Sequence, residues 1–364
     1  MQVGRGSGHI HYDVGDMAMK SDYRTLDLRP YQLVHIVAVL GANPGCDAGE
    51  LDFGSARLNA AVREMRALAY VPVRLRANVT SIYAFQNPGH DEDTEGGATL
   101  NTARDLDILQ RLGLVPGATM PAIDLFDLLL TAMPTVDDIV GYGEAAPARW
   151  AEGPAATSDG VAAMGGSDAA EAYRKGVARG LGALFLLRKS EEMARVKQDS
   201  AKAMLEAKSL RIRPHHLMCM TCFYGGREGE LAPIEEDNLC EAIVAMQRNP
   251  EIPVTLVQGP CMICPPCPYY DQAANLCYLH VGIGLRDEKK DTDVLRLLGL
   301  DYGDTLPAKD LLALLYERVP STKLVCGYKD GIERGPSWRI CDNPEGSERY
   351  RKGRAQGIGV VGQS

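Results

Sequence analysis

In the last third of the chain, apolar positions switch between two periods. Leu210–Arg213 reads as a short strand that runs through Pro214 into a helix. Proline is tolerated at a helix start, because its missing N–H would be unpaired there anyway. A second helix is predicted over roughly Pro233–Gln247, then a β-like run at Ile252–Val257 and a cysteine-rich loop. Two more helices are predicted at Asp291–Leu298 and Pro307–Arg318, where the leucine spacing matches one buried face.

The same pattern occurs twice. Leu26–Gly41 (LDLRPYQLVHIVAVLG) aligns without gaps on Leu210–Gly225 (LRIRPHHLMCMTCFYG). Arg104–Leu129 aligns on Lys290–Leu315, and Val71–Arg76 (VPVRLR) on Ile252–Val257 (IPVTLV). Three matches in one order at nearly one offset predict an internal repeat. The expected fold is α+β: a tandem duplication of a small, mainly helical α+β domain, joined by a linker and helix. The expected boundaries are an N-terminal arm (1–25), a degenerate first copy (26–135), an Ala/Gly-rich linker and helix (136–209), a cysteine-rich copy (210–342) and a tail (343–364). Residues 136–166 have the Ala, Gly and Pro content of a linker. Residues 168–208 favour a helix, although Gly176, Gly180 and Gly182 weaken it at first. The charged, Gly-rich tail after Cys341 is expected to be flexible or to contact a partner.

The 364 residues are enough for two or three domains, and 45% hydrophobic with 24% charged residues is a globular balance. A net charge of −9 without a basic stripe argues against nucleic acid as partner. No stretch approaches the roughly 18 apolar residues of a membrane span, so no membrane insertion is expected. The first residues have no apolar core of a signal peptide, and a cytoplasmic location is expected.

Cysteine distribution changes the picture most. Cys46 stands alone, and the other nine of ten lie between Cys219 and Cys341. In a chain of this size in a reducing compartment, clustered cysteines point to metal ligands rather than bridges. On the helix opened by Pro214, His215, Cys219 and Cys222 share one face and His216 lies at its edge. Cys261-Met-Ile-Cys264-Pro-Pro-Cys267-Pro268 is a C-x2-C-x2-C-P run. That spacing turns successive thiolates inward, and bacterial ferredoxins use it for three ligands of a 4Fe–4S cluster. The fourth ferredoxin cysteine is missing at its usual place, so this is not a ferredoxin domain. Cys277 is close enough in sequence to complete the loop site, and Cys326 and Cys341 could return to it. Cys240 sits in an amphipathic stretch and reads as core. The bland alternative, unrelated buried thiols, is weakened by the first copy. There Tyr31, Gln32, His35 and Ala38 stand where His215, His216, Cys219 and Cys222 stand, and Thr80 and Tyr83 replace Cys261 and Cys264. The scaffold therefore does not need these ligands to form.

Zinc, with four ligands in paired C-x2-C knuckles or Cys/His sets, is the rival metal. Eight thiols exceed what one zinc needs, which favours one or two 4Fe–4S clusters. No nucleotide fingerprint or Ser/His/Asp arrangement has usable context. Glu235–Glu236 reads as a solvated helix start, and His9 and His11 as part of a disordered arm.

The stretch Arg213-Pro214-His215-His216-Leu217-Met218-Cys219 resembles an uncharacterised prokaryotic family, domain of unknown function 1284, whose members open with R-P-H-H-L-L-C. Gly259-Pro260, Ile263-Cys264 and the following proline resemble its G-P-x-x-I-C-x-P segment. Cys277 is similar to its next single cysteine. Cys326, Trp338 and Cys341 are similar to its terminal group. The resemblance covers about Leu210–Cys341. It implies iron–sulfur or metal binding through His215, His216, Cys219, Cys264, Cys277, Cys326 and Cys341, and implies no reaction. Cys222, Cys261 and Cys267 are additions to the family pattern. They hint at a second cluster, or at one of altered type.

The expected function is that of a cluster-carrying electron-transfer or accessory subunit, without catalytic activity of its own, docked on other subunits of a larger anaerobic oxidoreductase. A zinc-stapled scaffold is one alternative. An iron–sulfur enzyme with an open cluster site served by His215 or His216 is another.

Overall fold

The structure is a computed structural model that describes residues 24–79, 93, 95–146, 167–271, 275–277, 281–326 and 347–362. It divides into two compact units, Met1–Ala178 and Arg179–Ser364. The first contains β1 (Leu26–Leu28), α1 (Pro30–Ala42), α2 (Ala56–Ala67), β2 (Pro72–Leu75), α3 (Glu95–Leu112), β3 (Thr119–Pro121), α4 (Ala122–Ala132) and α5 (Ser167–Arg179). The second opens on α6 (Ser190–Leu205) and continues with β4 (Leu210–Ile212), α7 (Pro214–Gly226), α8 (Leu239–Arg248) and β5 (Pro253–Leu256). A hairpin follows, β6 (Tyr270–Asp271) and β7 (Leu276–Cys277). After it come α9 (Val281–Leu298), β8 (Thr305–Pro307), α10 (Ala308–Arg318) and α11 (Glu348–Ala355).

The expected α+β class is the observed one. Each unit has a three-stranded sheet of the same order, β1-β2-β3 and β4-β5-β8. The first pairing is parallel and the second antiparallel, with Leu26 beside Val73 and Leu210 beside Val254. Each unit also starts its first long helix in the same way. Arg29 donates through Nε to Asp105 (2.6 Å), and Asp105 accepts the Tyr31 N–H (2.9 Å). Arg213 donates to Asp291 (2.7 Å), and Asp291 accepts the His215 N–H (2.9 Å). The carboxylate thus satisfies a first-turn donor that the helix itself cannot.

Four sequence expectations shift. The second helix of the cysteine-rich unit starts at Leu239, not near Pro233, because the Asp237 carboxylate takes the Leu239 N–H (2.8 Å) and so ends the preceding loop. The third starts at Val281, not Asp291, supported by i,i+4 and i,i+3 pairs of Lys289 with Asp293 and Lys290 with Asp287. The start of the expected linker is packed structure. Val136, Ile139 and Tyr142 are buried, and Tyr142 donates to the Tyr31 carbonyl (2.7 Å). The tail is not loose either: α11 lies on α7, and Tyr350 is fully buried and donates to the Val319 carbonyl (2.8 Å).

The linker helix and the tail also resemble each other. Tyr173–Gly182 reads YRKGVARGLG and Tyr350–Gly359 reads YRKGRAQGIG. Tyr173 donates to the Met133 carbonyl (2.8 Å), as Tyr350 does to that of Val319. Glycines let these helices touch. A Cβ on Gly176 would meet the Val37 carbonyl oxygen at 2.0 Å, and one on Gly353 would meet that of Thr221 at 2.0 Å.

Candidate metal centre

Two elements of the second unit carry the candidate ligands: α7 and the loop after β5. The loop is a chain of tight turns in which the N–H of Cys264 donates to the Cys261 carbonyl (3.0 Å) and that of Cys267 to the Cys264 carbonyl (2.9 Å). Arg188 clamps it from outside, donating through Nη1 to the carbonyls of Pro265 (2.6 Å) and Cys267 (2.9 Å). Asn238 holds its other side, donating through Nδ2 to the Met262 carbonyl (3.1 Å) and through its N–H to that of Ile263 (3.1 Å). A loop fixed by its carbonyls leaves its thiols to face inward.

His216 meets these thiols. Its Nδ1 lies 3.1 Å from Cys261 Sγ, and the two sulfurs of Cys261 and Cys264 are 4.0 Å apart. The ligand atoms of His216, Cys261 and Cys264 all lie within 4.8 Å of one another, so this group could hold a metal ion. Cys261 is the more acidic of the two thiols. Burial pushes its pKa up, but the Cys264 thiol, the backbone N–H groups of Arg213 and Ile263 and the Arg213 charge outweigh burial and leave it lowered. Cys264 moves well above the ordinary thiol range, chiefly because its proton bonds to Cys261 and because it is buried. Two adjacent thiols and an imidazole are a donor set that a divalent ion would complete by displacing the thiol protons.

Cys267 and Cys277 stand beside this group. The β6–β7 hairpin pairs Cys277 with Tyr270, which folds it back towards the loop. The Cys267 thiol is pushed up to about 11, first by burial and then by the nearby Cys277 and Cys264.

The remaining described candidates do not join the loop. Cys219, Cys222 and Cys326 line a separate cavity of about 530 Å3, together with His215 and Lys290. Adjacent histidines on α7 thus serve different places. His215 donates through Nδ1–H to Asp291 Oδ1 (2.8 Å), whereas His216 faces the cysteine loop. Burial pulls the His215 pKa down to about 4, with the proximity of His216 acting the same way and Asp291 opposing it, so the ring is neutral at pH 7. The sequence expectation that Cys326 returns to the loop is therefore corrected: its side chain belongs to the α7 cavity. Cys341, Trp338, Thr80, Tyr83, His9 and His11 lie outside the described residues. Cys240 is core, as expected, with its thiol pushed up to about 11 mainly by burial.

Sequence reasoning missed Arg188, Asn238, Asp291 and Lys290. Asp291 and Lys290 sat in a matched repeat segment, opposite Asp105 and Arg104, and that match was a usable signal. Arg188 had none. No protein-family model, curated protein or solved structure matches this chain, so its chemistry is read from its own residues.

Proposed function

We propose that the second unit is an iron–sulfur protein that carries electrons within, or as an accessory subunit of, a larger oxidoreductase. One observation carries this reading. A single helix, α7, sends His216 to a cysteine loop and lines a cavity with Cys219 and Cys222, while the first unit keeps the same elements with Gln32, His35 and Ala38 in those places. Soft ligands added to an unchanged scaffold serve chemistry rather than folding. The resemblance to the R-P-H-H-L-x-C family supports the same assignment. Anaerobic purification followed by iron, acid-labile sulfide and zinc analysis tests it. Iron and sulfide in equal amounts, with an EPR signal on reduction, are expected. Zinc alone, with no labile sulfide, would sink it.

A zinc-stapled scaffold is the second reading, and one distance favours it. Two thiolates about 2.3 Å from a tetrahedral zinc stand ~3.8 Å apart. Cys261 and Cys264 stand 4.0 Å apart. This reading expects chelator to unfold the unit and no visible absorbance.

A further inference from the structure

The two ligand groups differ in spacing, and the difference selects different metals. His216, Cys261 and Cys264 converge within 4.8 Å, the span of ligands that share one ion. Among the described residues, no set of three that includes Cys219, Cys222 or Cys326 is drawn that close. Those thiols instead border a cavity of about 530 Å3. One water-sized body takes ~30 Å3, so this space is larger than a single ion needs and has room for a polynuclear centre.

The cavity also has the charge and the second-sphere partner that such a centre needs. Lys290 is 3% exposed and stands beside Cys219 and Cys326, held by Asp287 at 3.2 Å. A buried ammonium offsets the negative charge of a thiolate-ligated cluster. The Nδ1–H of His215 donates to Asp291 (2.8 Å), and its Nε2 lies 3.9 Å from Oδ2 of Asp287, the carboxylate that also holds Lys290. A carboxylate on the far ring nitrogen is the usual partner of a metal-binding histidine.

The first unit supplies the control. There Tyr31, His35, Ala38, Arg104 and Val140 occupy the positions of His215, Cys219, Cys222, Lys290 and Cys326. The Arg104 guanidinium stacks 4.0 Å from the Tyr31 ring centroid and 5.4 Å from that of Tyr142. In the first unit a cation between aromatic rings thus stands where the second unit has the Lys290 ammonium among thiols.

We infer that the second unit holds two centres of different kind: a single tetrahedral ion, of the zinc class, at His216, Cys261 and Cys264, and an iron–sulfur cluster in the α7 cavity at Cys219, Cys222 and Cys326, with His215 as its nitrogen ligand. This rests on the iron–sulfur reading above and assigns its place.

The test compares full-length variants reconstituted anaerobically with iron, sulfide and zinc. Cys261→Ser/Cys264→Ser is expected to lose about one zinc per chain and keep its iron and sulfide. Cys219→Ser/Cys222→Ser, and separately Cys326→Ala, are expected to lose iron and sulfide and keep the zinc. His215→Cys is expected to keep the cluster while pulsed EPR loses the nitrogen coupling seen in the parent. Circular dichroism identifies any variant that fails to fold, and Cys326→Ala, which changes one cavity-wall side chain, then serves as the folded cavity variant. If loop variants lose the iron and sulfide, or cavity variants keep them, the assignment is overturned. Nitrogen coupling unchanged in His215→Cys overturns the nitrogen ligand. A parent protein with no labile sulfide overturns the iron–sulfur reading itself, which is a different outcome.

Discussion

His215 and His35 occupy neighbouring turns of equivalent helices, and each is buried as a neutral ring. Burial pulls the pKa of both down to about 4, with the Phe53 carbonyl opposing it at His35 and Asp291 opposing it at His215. In an unfolded chain each ring would take up its proton near 6.5. Between pH 6.5 and 4 the unfolded state therefore binds more protons than the folded one. The stability from each ring is complete above pH 6.5 and is lost as pH falls towards 4. For His35 the loss is on the order of 3 kcal/mol. Thermal melts from pH 7 to 4 are expected to show Tm falling across this window, with a smaller fall in His35→Gln. A parent profile flat between pH 6.5 and 4 would contradict the neutral assignments. At the same scale, the site residues legible in sequence were those whose type is the signal: paired histidines and evenly spaced cysteines. Lys290 and Asp291 were marked only by their match to Arg104 and Asp105, because a lysine or an aspartate gains its role from what it is buried against.

Among elements, the crossing of α7 and α11 depends on two glycines. The Cβ positions of Gly225 and Gly353 would fall 1.8 Å from the Arg349 carbonyl oxygen and 2.0 Å from that of Thr221. The opposing atoms are backbone, so the helices must separate to admit a methyl group. Gly353→Ala is expected to cost about 1–3 kcal/mol, the usual range for overpacking. Urea unfolding measures it, and an unchanged midpoint would show that the helices can part freely. The cysteine loop has its own clamp in Arg188. Removing three carbonyl contacts with Arg188→Ala is expected to weaken metal binding about 10–100-fold, the usual cost of losing an outer-shell contact, while the fold persists. Competition with a chromophoric chelator reads this out, and unchanged affinity would remove Arg188 from the site. Helix interiors and strand pairs were legible because apolar period is local. Helix ends were less so: Asp237 stops one loop by a side-chain bond, a detail that periodicity does not contain. The tail was misread because its composition resembles a loop, although its YRKG repeat was present to be seen.

At the scale of the molecule, each unit contains its own sheet, its own buried Arg–Asp pair and its own glycine crossing. The segment Arg179–Ser364, expressed alone, is expected to fold and to retain its full metal content, and Met1–Ala178 to fold without metal. Metal analysis and circular dichroism of the two halves check this. A C-terminal half that folds yet holds no metal would place part of the centre elsewhere. From the chain alone came the class of fold and the residue types of the candidate site, since apolar period and residue chemistry are properties of neighbouring residues. Only the tertiary structure decided that neighbouring histidines part company, that Cys326 sits with Cys219 and Cys222, and that His216 meets Cys261 and Cys264. Those are contacts between residues tens to more than a hundred positions apart. They follow from how α7, α9 and the loop pack, which local pattern does not encode.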